Sequence, residues 1–76
     1  MNKCIPINPI KTAENLKQIR KARGITVKEV QAELGLMHPQ AIYKWENGMN
    51  LPSIDNCILL AQIYEVPMDN LFVRGQ

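Results

Sequence analysis

Histidine occurs once in these 76 residues and cysteine twice. His38, Cys4 and Cys57 are too scattered to give a metal-ligand spacing, so no metal is expected. The sequence also lacks a glycine-rich phosphate loop and paired carboxylates in a plausible cleft. An enzyme and a bound cofactor are therefore both set aside. Two cysteines allow at most one disulfide, and a pair of reduced thiols is the simpler reading. No apolar run approaches the roughly 20 residues of a membrane span. Pro6 and Pro9 interrupt the first residues, where a signal peptide needs an unbroken apolar region. The expectation is a soluble cytoplasmic protein with no membrane contact.

A chain of this length makes one small domain with a modest core. Its net charge of +2 is unevenly distributed. Residues 1–44 hold eight lysines and arginines against three glutamates, a net +5; residues 45–76 hold one arginine against four acids, a net −3. A basic half beside an acidic half suits a polyanion on one side, although solvated surface alone gives such splits too.

The pattern of apolar and capping residues reads as all helical. Residues 1–11 look like an arm, with Pro6 and Pro9 blocking helix and Ile5, Ile7 and Ile10 alternating. Thr12 is a candidate cap for a first helix running to about Arg23, with Gly24 ending it. Thr26 and Glu29 have the spacing of a capping box for a second helix, buried along Val27, Val30 and Leu34 and closed by Gly35. A third helix spans about 39–47. Ser53 caps a fourth through about Tyr64, with Ile54, Cys57, Leu60, Ala61 and Tyr64 as its core stripe. Pro67 begins a short last helix, from which Met68, Leu71 and Phe72 pack back on the body. Residues 12–73 form the domain and 74–76 a tail.

The third helix, within "HPQAIYKWENG", divides sharply. Ile42 and Trp45, the only tryptophan, fall with Ala41 on one side and suit a core anchor. Gln40, Tyr43, Lys44 and Asn47 fall on the other, carrying two amides, a phenol and an ammonium. Such groups suit base edges and phosphates, since glutamine can bond adenine bidentately and lysine can reach guanine or phosphate. A plain polar helix face is the alternative. The turn before this helix contains Gly35, as a helix-turn-helix does.

From Thr12 to Phe72 the chain resembles the Cro/C1-type (XRE-like) helix-turn-helix regulators. The most specific part is "QAIYKWENG" followed by "LPS", together with the spacing of Arg20, Gly24, Leu34-Gly35, Trp45-Glu46 and Pro52. The resemblance implies a five-helix lambda-repressor-like fold whose third helix lies in the major groove of double-stranded DNA. It implies Gln40, Tyr43 and Lys44 as base-reading candidates. Thr26, Lys28, Asn47, Gly48, Met49 and Asn50 are then phosphate candidates, and His38 is a helix cap or a further phosphate contact. Arg20 and Glu46 match a partly buried structural ion pair. The residues agree, because an acid at a helix C-terminus opposes the dipole and calls for a cation.

Two departures stand out. Val27 replaces a glutamine common in the family. The turn is also one residue longer, with Met37 extra if His38 caps the helix and Pro39 is its first residue. The resemblance further implies a homodimer, for which Ile58, Leu59, Ile63 and Phe72 are interface candidates unless they belong to the core. The rival reading is a protein-interaction module, such as an antitoxin-like protein that binds a protein partner.

Overall fold

Each α-helix begins where a polar side chain takes up its free amide protons, with one exception. The computed structural model describes residues 5–75. Among them, four α-helices follow in order: α1 (Pro9–Ala22), α2 (Val27–Leu34), α3 (Gln40–Glu46) and α4 (Ile54–Tyr64). A 3-10 helix, η1 (Met68–Leu71), completes the set. The all-helical class is as expected, and the fifth element is 3-10 rather than α.

α2 and α4 start as their sequences predict. The Thr26 hydroxyl accepts from the Glu29 amide at 3.1 Å, and the Glu29 carboxylate accepts from the Thr26 amide at 3.0 Å. Ser53 accepts from the Asn56 amide at 3.3 Å. α1 does not start as expected. Asn8 is its cap, accepting from the Lys11 amide at 2.9 Å, and Pro9 is its first residue. Proline needs no acceptor there and its φ already suits a helix, so Pro9 opens the helix it was expected to block. Thr12 lies inside α1, fully buried, and caps nothing.

The exception is α3, which no side chain among the described residues caps. Its cap position is Pro39, not His38, and its first bonds run from the Ile42 and Tyr43 amides to the Pro39 carbonyl. His38 is exposed. At the end of α4, Glu65 adopts the left-handed conformation at φ 57°, where glycine is usual.

The core joins Leu16 of α1, Val30 of α2, Ile42 and Trp45 of α3, Cys57, Leu60, Ala61 and Tyr64 of α4, and Leu71 of η1. Ile19, Val27, Leu34, Ile63 and Phe72 pack around it, partly buried. Cys57 is a buried free thiol; Cys4 lies outside the described residues. Two expected core residues are outside: Ile54 is 74% exposed and Met68 is also exposed. Ile54 is the first residue of α4 and Met68 the first of η1, and each faces solvent there.

The two ends of the described chain are paired. The Asn8 amide donates to the Val73 carbonyl at 2.7 Å and the Gly75 amide to the Pro6 carbonyl at 3.2 Å, with an antiparallel bridge between Ile7 and Arg74. α1 fastens this return. The Thr12 hydroxyl accepts from the Val73 amide at 2.9 Å and donates to the Val73 carbonyl at 3.3 Å. The Asn15 amide donates to the carbonyls of Asn70 and Leu71 at 2.8 and 3.0 Å.

Thr12→Val keeps the shape but leaves the Val73 amide without its acceptor. It should cost about 1–3 kcal/mol, the penalty of a stranded buried polar group. Urea unfolding of the two proteins checks this; an unchanged midpoint would show that water replaces the hydroxyl freely.

Candidate nucleic-acid interface

α3 has seven residues, too few to hold a helix unaided. Its stability comes from burying one face. Ile42 and Trp45 are buried in the core, and the opposite side carries Gln40, Tyr43, Lys44 and, just past the end, Asn47. These four are exposed, Tyr43 at 50%. Lys44 lies in the last turn, where a cation is favoured by the helix dipole.

The C-terminal end of α3 is tied to α1. Arg20 donates from Nε to Glu46 Oε2 at 2.7 Å and from Nη2 to Oε1 at 3.1 Å, a bidentate pair. Its Nη1 donates to the Ile25 carbonyl at 2.9 Å, in the link between α1 and α2. The two side chains are only 11% and 5% exposed. The hydrogen bond to Glu46 holds the Arg20 guanidinium above its ordinary pKa, against burial, which lowers it. The buried Tyr64 phenol lies in the same region. Burial and the charge of Glu46 push its pKa up to about 12, while Arg20 pulls it down.

After α3 the chain turns at Gly48, with φ 78°. A Cβ there would stand 2.9 Å from Ile10 Cδ1, so the loop closes directly on α1. Met49, 71% exposed, and Asn50 continue along the surface.

At the start of α2, Lys28 is free while Thr26 is not. The Thr26 hydroxyl donates its only proton to Glu29 Oε1 at 3.0 Å and accepts from the Glu29 amide. The bonds that Thr26 donates, from its backbone amide first and then its hydroxyl, hold the Glu29 carboxyl below the usual carboxylate range. What remains open at this end are backbone amides of the first turn and the Lys28 ammonium.

Three structural ties had no sign in the sequence: the bonds of the Gln31 side-chain amide to the Leu36 and Met37 carbonyls, those of Asn15, and the buried role of Thr12. Thr12 and Asn15 grip a segment some 55 to 61 residues away, which no local signal reveals. The Asn8-Pro9 pair did carry a signal, a good cap followed by a good first residue.

A family model described as helix-turn-helix matches residues 16–71, which run from the middle of α1 to the end of η1. The chain belongs to this family. Over 53 residues it is 38% identical to a putative HTH-type transcriptional regulatory protein of the archaeon Methanocaldococcus jannaschii. That match covers 70% of this chain but only 16% of the relative, so the chain spans about one-sixth of the relative's length. The fold is also similar to the restriction-modification controller protein C.AhdI of Aeromonas hydrophila, with a TM-score of 0.75, 23% identity, and 84% and 96% of the two chains covered. A transcriptional regulator from Listeria innocua gives the same TM-score at 24% identity, covering 95% of this helix-turn-helix chain and 64% of that one. At these identities the solved structures establish a shared fold.

Arg20→Ala or Glu46→Ala leaves a nearly buried charge alone and should cost on the order of 3–5 kcal/mol. Thermal melts without DNA check this. A shift of only a degree or two for both would show that solvent takes over from the missing partner.

Tyr64 predicts an alkaline dependence. A raised pKa favours the neutral phenol in the folded chain, so its contribution is complete below the ordinary value of about 10 and is lost as pH rises toward about 12. The wild-type Tm should fall through that interval more steeply than that of Tyr64→Phe. Parallel curves would place the phenol in contact with water.

Proposed function

We propose that this chain is the sequence-specific double-stranded DNA-binding module of a cytoplasmic transcriptional regulator, with α3 in the major groove. One observation carries the reading: α3 is fixed by Ile42, Trp45 and the Arg20–Glu46 pair, yet offers Gln40, Tyr43 and Lys44 to solvent. The names of two of the similar proteins, both transcriptional regulators, support the same reading.

In this reading Gln40, Tyr43 and Lys44 meet base edges and Asn47, Gly48, Met49 and Asn50 lie along phosphate. His38, exposed and not a cap, is free to meet phosphate as well. Thr26 has both its amide and its hydroxyl protons committed to Glu29, so the start of α2 takes part through the backbone amides that follow Thr26. Lys28 supplies the charge there. The module binds DNA and does no chemistry on it.

The reading includes a homodimer through α4, supported by the exposure of Ile54, Ile58 and Leu59. Ile63 and Phe72 pack partly on the core and offer less to such an interface. The same apolar surface favours the second reading, a protein-interaction module with a different protein partner.

Selection of sites from a random duplex pool, followed by titration over a salt series, tests the proposal. Lys28→Ala should flatten the salt dependence by about one unit of slope for each phosphate it no longer neutralises, and weaken all sites alike. Lys44→Ala should do the same if it meets phosphate, or relax preference at one base position if it reads a base. Unchanged affinity and slope in both variants would remove this face as the DNA-binding surface.

A further inference from the structure

We infer that Gln31 is a positioning residue that sets how α3 presents Gln40 to DNA, an inference that rests on the DNA-binding reading above. α3 is held unequally along its length. Its far end is clamped by the Arg20–Glu46 pair and its middle by Ile42 and Trp45. Its near end has no side-chain cap among the described residues, and Pro39 has no amide proton to give. The direction in which Gln40 leaves the turn is therefore set by the backbone of residues 35–39, with Leu36 and Ala41 packed partly on the core on either side of it.

Gln31, on the last turns of α2, grips that backbone from both sides. Its carbonyl accepts from the Leu36 amide at 3.0 Å. Its side-chain Nε2 donates to the Leu36 carbonyl at 3.3 Å and to the Met37 carbonyl at 3.2 Å. A primary amide has two N–H groups, enough for one to each carbonyl. The peptide units held are those just after the left-handed Gly35, φ 68°, and just before His38-Pro39. The Met37 side chain is 87% exposed, so packing does not fix that residue. Met37 also lies within Leu36–His38, the stretch in which this turn is expected to exceed the pattern it resembles, and the Gln31 amide bonds two of the carbonyls there.

Without the amide, the near end of α3 tilts about its anchored middle. Gln40, the first residue of the helix, moves most, and Lys44, a turn later and beside the clamp, moves least. The consequence is selective: preference weakens at the base read by Gln40 and persists at the base or phosphate met by Lys44.

The test uses the full chain with Gln31→Met, which keeps length and helix propensity and removes both donors. Gln31→Lys returns a donor. Gln40→Ala first locates its base in the selected sites. Gln31→Met is expected to lower discrimination at that base about tenfold, the scale of one bidentate contact. The salt slope should stay as in wild type. Gln31→Lys should restore the preference, judged at one salt concentration, and Gln31→Met should add nothing in the Gln40→Ala background. In the free protein, the Ile42 and Tyr43 amides should exchange severalfold faster in Gln31→Met while those of α1 are unchanged. Identical selected sites and ratios would overturn the role of Gln31 and make the two bonds incidental. A uniform loss at every position, tracking a lower Tm, would also overturn it and leave Gln31 a stability residue. Wild type without any sequence preference would show itself before a variant is made, and would overturn the DNA reading and this inference together.

Discussion

Glu46 is a buried carboxylate at the C-terminal end of a helix whose dipole opposes it, and Arg20 is what makes that arrangement tolerable. The guanidinium is planar and forked, so it meets both carboxylate oxygens and still has a nitrogen for the Ile25 carbonyl. One side chain from α1 thereby fixes the end of α3 and the approach to α2. Both candidate DNA contacts, the outer face of α3 and the start of α2, are referred to the same guanidinium. A lysine at this position would make a single-point contact and leave both elements free to rotate about it. The pair therefore works as a geometric reference, and its energetic contribution is secondary to that role.

The polar side chains divide into those that hold the fold and those left for a partner, and hydrogen bonding decides the division. Thr12, Asn15, Thr26 and Gln31 are all committed to backbone groups or to Glu29. Gln40 and Lys44 are exposed on the helix that resembles a reading element, and Asn47 just past its end. Thr26 shows how position alone misleads. It lies at the start of α2, where a phosphate contact is expected, yet its proton is already used.

Local chemistry made much of the fold legible in the sequence. The Thr26–Glu29 box, the Ser53 cap, the left-handed Gly35 and the split of α3 between Trp45 and Lys44 all depend on residues within a few positions of one another. What escaped depends on distant segments or on competition between equal signals. Thr12 is a good cap by type, but so is Asn8, and starting α1 earlier buries the Thr12 hydroxyl against Val73. The apolar run on α4 is wider than one packed face, and no local feature marks Ile54 as the residue left out. Glu65 takes a glycine conformation because the C-terminal turn of α4 demands it, with the Val66 amide bonded to the Ala61 carbonyl. In the candidate site, the exposed residues were legible and the grip of Gln31 was not, because a glutamine on a helix gives no sign of which way its amide reaches.

The pairing of residues 6–8 with 73–75 brings the two ends of the described chain to one place. Mechanically this is a clasp. Tension applied through both ends opens it like a zipper, loading its hydrogen bonds in succession, with the Gly75–Pro6 bond first, before any helix is stretched. Topologically the domain is a bead with a single point of attachment. A loop of a larger protein could enter at Ile5 and leave at Gly75 with little change in its own span, and a few residues joining those ends would close the chain into a ring without disturbing α3.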